Sequence, residues 1–147
     1  MSSPTPFSGS HIPARVFTGP TWTPNNAWIV GNDYEVALVR LDRLTADAGS
    51  PISGVLRAGL VLGKITSGGD YVDYDDDGTD DGRRTAAAIL LSPIDMRDPT
   101  DPSARLTEPI FAQVMIRGRI QTTGLIGYDA NAKTDLKAIG FFFEDDV

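Results

Sequence analysis

The chain has 147 residues, of which 41% are hydrophobic, with ten prolines, no cysteine and a net charge of −7. That length gives one domain plus an extension, with enough core to fold unaided, and the missing cysteines exclude a disulfide framework or a thiolate metal site. The acidic balance argues against nucleic acid or an anionic membrane as a partner. No apolar run approaches the roughly 20 residues that span a bilayer, and the opening Met-Ser-Ser-Pro-Thr-Pro lacks the pattern of a secretory leader.

Residues 1–28 form a distinct zone. Pro4, Pro6, Pro13, Pro20 and Pro24 exclude a helix and favour extended backbone. Phe7, Ile12, Val16, Phe17, Trp22 and Trp28 are interspersed, and a solvated tail is normally poor in such residues. The zone therefore reads as an arm, either folded over its own domain or ordering against a partner with those six residues as anchors. Residues 29–147 are then the domain proper.

Tyr34 to Leu41 reads as a strand with partial alternation, and Asp42 to Ser53 as a loop closed by Gly49-Ser50-Pro51. Val55 to Thr66 is apolar but carries Gly59 and Gly63, which fits a bent strand or a tight turn between two short ones. Ser67-Gly68-Gly69-Asp70 is a turn, Tyr71 to Tyr74 a short strand and Asp75 to Gly82 an acidic loop. Thr85 to Leu91 has three alanines that favour helix, but the run is short and Pro93 follows, so a buried strand is expected. Arg97 to Pro109, with three prolines and no periodicity, reads as a long exposed loop. Ile110 to Gln121 is a strand candidate broken at Gly118. Asp129 to Ile139 has helical composition, with Asp129 as N-cap and Gly140 as stop. Phe141 to Phe143 closes the series as a short strand before the acidic end. The fold class is mainly β (α+β), a small irregular β domain with one short helix.

No set of residues here carries catalysis. Asp73-x-Asp75-x-Asp77-Gly78 begins like a calcium loop, but the twelfth position, where a bidentate carboxylate is needed, is Arg84, and the flanks read as strands. A solvated structural turn is the favoured reading. Its carboxylates lack the burial that general acid–base work requires. His11, the only histidine, sits in the arm with no nucleophile pattern around it. Gly63-Lys64 lacks the upstream glycine of a phosphate loop, since position 58 is Ala58. Arg83-Arg84 and Arg117-Gly118-Arg119 are the only basic clusters, and pairing with nearby acids is expected before an interface role. No cofactor and no metal are expected.

The order of Gly63-Lys64-Ile65-Thr66, the Tyr71–Tyr74 strand, the Asp-Gly turn over 75–82, Ala86-Ala87-Ala88-Ile89-Leu90-Leu91 and a later strand with Arg117-Gly118 resembles the head-decoration, capsid-stabilising proteins of lambda-like tailed phages. The similarity spans about residues 54–147. It implies a β-tulip-like domain, a homotrimer built through apolar strand surfaces and loops of residues 54–143, and local three-fold sites on an expanded capsid. It implies the major capsid protein as partner, an arm that orders on the shell, and residence on the outer capsid surface after assembly in the host cytoplasm. The alternative is a calcium- or carbohydrate-binding β-module on a phage or cell surface, using the aspartates and tryptophans.

Overall fold

The structure, a computed structural model, describes residues 27–108 and 110–146. Its frame is a six-stranded mixed sheet in the order β1-β4-β3-β5-β9-β10, formed by β1 (Ile29–Leu41), β3 (Val61–Lys64), β4 (Tyr71–Asp73), β5 (Ala86–Leu90), β9 (Ile110–Ile120) and β10 (Phe141–Phe143). An additional antiparallel pairing joins β1 to β9, so five of the strands close a ring and only β10 hangs outside it. Closure leaves few unpaired edges, which a small all-strand body must otherwise shield.

The long β1/β9 ribbon is the backbone of the fold. Its register runs from Ile29↔Ile120 to Leu41↔Ile110, with irregularities between Ile29 and Tyr34 and between Glu35 and Val36. The β9 strand is not broken at Gly118, as its sequence led us to expect. Gly118 pairs with Tyr34 on one side and Phe141 on the other, and a Cβ there would lie 2.5 Å from the Cβ of Tyr34. Glycine thus lets three strands crowd together at one point.

Several other expectations hold. Val55 to Thr66 is two short strands, β2 (Val55–Leu56) and β3, turned at Gly59. Thr85 to Leu91 contains the strand β5 rather than a helix, with four of its five residues buried. The helix α1 spans Ala130–Ala138 with Asp129 as N-cap, its carboxylate accepting from the amide of Ala132 at 2.7 Å. The stretch 97–109 differs from expectation. It holds a hairpin of β7 (Arg97–Asp98) and β8 (Asp101–Arg105), whose turn is fastened by Asp98 accepting from the amide and hydroxyl of Thr100. A two-residue strand β6 (Ile94–Asp95) pairs with β2.

Side chains on the two faces of the sheet form two cores. On one face, Val61, Ile89 and Met115 pack with Trp28, with Ala132 and Leu136 of α1, and with Phe141 and Phe143 of β10. On the other, Leu41, Leu62, Leu90 and Val114 pack with Leu56 and Met96. The outcome is mainly β with one short helix. Among the described residues no helix is long and apolar enough to cross a membrane.

Candidate functional site

The proposed anchors divide. Phe7, Ile12, Val16, Phe17 and Trp22 lie outside the described residues. Trp28 is described, and it is a core residue: its side chain is 0% exposed, and the carbonyl of Trp28 accepts from Gln121 at 2.9 Å. An indole with no exposed surface is not available as an anchor, so that expectation is corrected for Trp28. It joins the body because the start of β1 lays it against Phe141 and Phe143 in the helix-covered core.

The acidic loop is a folded element rather than a loosely solvated turn. Asp73 accepts from the amide of Ala46 at 3.0 Å, Asp75 from the amide of Asp77 at 3.1 Å, and Asp76 from the side-chain amide of Asn131 on α1 at 2.6 Å. Asp81 holds Arg83 through two parallel contacts, at 3.0 and 2.9 Å, and this keeps its carboxyl below the usual carboxylate range. Arg84 donates to the carbonyl of Gly78 at 2.8 Å. The loop folds back on β3 where Gly82 adopts φ +112, and a Cβ there would lie 2.1 Å from the Lys64 carbonyl oxygen. The aspartates therefore point to separate partners, and among the described residues no group of three or more His, Cys, Asp or Glu is placed to hold a metal ion.

A cavity of about 340 Å³ lies beside this loop, lined by Asp47, Arg57, Asp73 and Tyr74 among others. Its charged and phenolic side chains, Asp47, Arg57, Asp73 and Tyr74, each take part in hydrogen bonds within the fold. Asp47, whose side chain is 1% exposed, takes both Nε and Nη2 of Arg57, at 2.7 and 2.8 Å. Tyr74 donates to Asp129 at 2.9 Å, and burial together with that bond pushes its phenol well up. The ionisable side chains that line the cavity thus serve the fold first.

What the body presents outward is apolar surface on the sheet. Along β1, Ala37, Val39 and Leu41 turn toward the inner core, while Val36 and Leu38 alternate to the opposite face. That face is covered by α1 and the aromatic residues only as far as Met115, which opposes Val36. Beyond it the register sets Leu38 opposite Gln113 and Arg40 opposite Phe111. Leu38 is 69% exposed and Phe111 62%, and as diagonal neighbours they lie about 7–8 Å apart. With Val36 they form a bare apolar stripe. A second exposed apolar pair, Ile139 and Phe142, sits at the far end, where Phe142 opposes Arg119 and the guanidinium lies 5.1 Å from the ring centroid.

The basic clusters behave as local pairs. Arg117 meets Glu35 at 3.1 Å and Arg119 meets Glu144 at 3.5 Å. The sequence did not single out Val36, Leu38, Phe111, Ile139 or Phe142. In Tyr34 to Leu41 both parities are apolar, so alternation alone does not tell the inward from the outward set.

Comparison with known proteins adds one finding. A protein-family model described as bacteriophage lambda head decoration protein D matches residues 37–140, which takes in the last part of β1, all of β9, the acidic loop, the hairpin and the helix. No curated protein matches the chain.

Proposed function

The chain belongs to the family of the bacteriophage lambda head decoration protein D, and from that membership we propose that it binds as a homotrimer to local three-fold sites of the expanded capsid and cements the shell against the pressure of packaged DNA. Membership makes it a structural protein of a phage head. The family match over residues 37–140 is the observation that carries the reading, and the composition of the arm supports it.

The physics of the arm follows from its residues. Ordering one extended segment on a partner costs about 1–2 kcal/mol per residue in backbone entropy. Phe7, Ile12, Val16, Phe17 and Trp22 offset this by burying apolar side chains against the major capsid protein, with strand addition at an exposed edge. A single arm binds weakly. Three arms on one trimer act at an effective concentration on the order of millimolar, so avidity replaces single-site strength. Binding the expanded lattice in preference to the unexpanded one stabilises it by mass action. The acidic body then faces outward, away from the genome.

Deletion of residues 2–22 tests the arm directly. It stops short of Trp28, so the packed core keeps every described member. The truncated protein should remain folded yet lose most of its co-sedimentation with expanded, undecorated shells. Undiminished binding would place the anchor on the body instead.

A further inference from the structure

The sheet leaves two apolar patches uncovered, at opposite ends of β9. One is Val36, Leu38 and Phe111; the other is Ile139 and Phe142. Phe111 is the second residue of β9 and Arg119, which opposes Phe142, the second from last, so the outer members of the patches are roughly 26 Å apart along the strand, while Val36, opposite Met115, comes within roughly 13 Å of Arg119. We propose that these are the two halves of one contact between copies of this chain, the Val36–Leu38–Phe111 stripe of one copy seating on the Ile139–Phe142 patch of the next.

Symmetry and charge carry the argument. The inference rests on the homotrimer reading: a three-fold ring is built from heterologous contacts, so each copy must offer two different surfaces that fit one another. These two patches are distinct and mainly apolar, with their outer members, Phe111 and Phe142, toward opposite ends of β9. The chain is also strongly acidic, at −7, so copies repel wherever uncompensated carboxylates meet. Both patches are bordered by closed pairs. Arg40 is bound to Asp70 at 2.6 Å and Glu35 to Arg117 at 3.1 Å beside the stripe. Arg119 meets Glu144 beside Phe142. Two acidic copies can therefore approach through these surfaces without setting like charges together. Around the acidic loop, by contrast, Asp75, Asp76, Asp77 and Asp80 concentrate negative charge.

The test is a complementation. Leu38→Glu with Phe111→Glu disables the first patch; Ile139→Glu with Phe142→Glu disables the second. Molar mass is read by light scattering on the full chain, with far-UV circular dichroism confirming that each variant keeps the wild-type spectrum. The wild type should be a trimer and each variant alone a monomer. Mixed in equal amounts, the two variants should give a 1:1 heterodimer, because each retains the half that the other lacks. The pair Leu38→Thr and Phe111→Thr, neutral and suited to strands, should weaken the trimer in the same direction and separates loss of apolar contact from added charge. A trimeric wild type whose variants stay trimeric, or folded variants that stay monomeric on mixing, would overturn the pairing alone. A monomeric wild type would overturn the pairing as a contact formed in solution, and single copies rather than threes on expanded shells would overturn the trimer reading itself.

Discussion

Trp28 has enough apolar surface to serve either as an anchor for a partner or as a filler of the body, and its packing decides between them. It lies in one core with Phe141, Phe143 and Leu136. Trp28→Ala should destabilise the domain by about 3–5 kcal/mol, measured by urea unfolding. Trp28→Phe should cost far less. It keeps most of the packing and removes an indole N–H that is buried with no hydrogen-bond partner. Equal losses for the two substitutions would show that packing is not what Trp28 supplies. Asp47 is the polar counterpart. Its carboxylate sits almost fully buried beneath the Arg57 guanidinium and also accepts from the Arg57 amide at 3.1 Å. Asp47→Ala leaves those donors unsatisfied and should cost about 2–3 kcal/mol.

At the scale of elements, α1 is held at its N-terminus and along its body. Asp129 caps its first turn and accepts from Tyr74, while Asp135 accepts from the amide of Ala86 at the start of β5. Asp129→Ala should therefore cost about 1–2 kcal/mol, at the upper part of the range for a lost N-cap because a buried phenol loses its partner as well. An unchanged melting temperature would contradict this. The helix was legible in the sequence because its signals are local: a cap residue, an alanine-rich run and a glycine stop. The strand β5 was legible because Pro93 limits the run to strand length. The β7/β8 hairpin was not. Pro99 and Pro102 read as loop, yet Pro99 lies in the turn and Pro102 lies in a strand paired only with β7, so its missing N–H need not break a ladder. The β2/β6 pairing was also illegible, since two-residue strands joined across about forty positions leave no periodicity to read. The bare stripe was hidden for a related reason. Which parity of β1 faces inward depends on where α1 lands, and that is a tertiary fact.

Taken whole, the molecule is an acidic body whose carboxylates are mostly put to use. Asp81 is lowered by Arg83, Asp145 by Thr122, and Asp146 by Lys133 and Lys137, which it meets at 2.5 and 2.9 Å. A carboxylate whose folded pKa lies below its unfolded value, about 3.9 for Asp, adds stability above that value and loses it as the pH falls through the folded one. The domain should thus hold its stability down to about pH 4 and lose it below. In Asp146→Asn the melting temperature should lie below that of the wild type near neutrality, and the gap should close in that acid range; a gap that persists at about pH 2 would show that the pairing is not its source.

The central claim is that this chain is a capsid decoration protein that secures an expanded shell. The most direct measurement is a cryo-EM reconstruction of expanded, undecorated shells of the parent phage after incubation with the full-length protein. The account predicts added density of three copies at each local three-fold position, with extended density for residues 1–26 running onto the capsid protein. Shells that remain bare at saturating protein would contradict it.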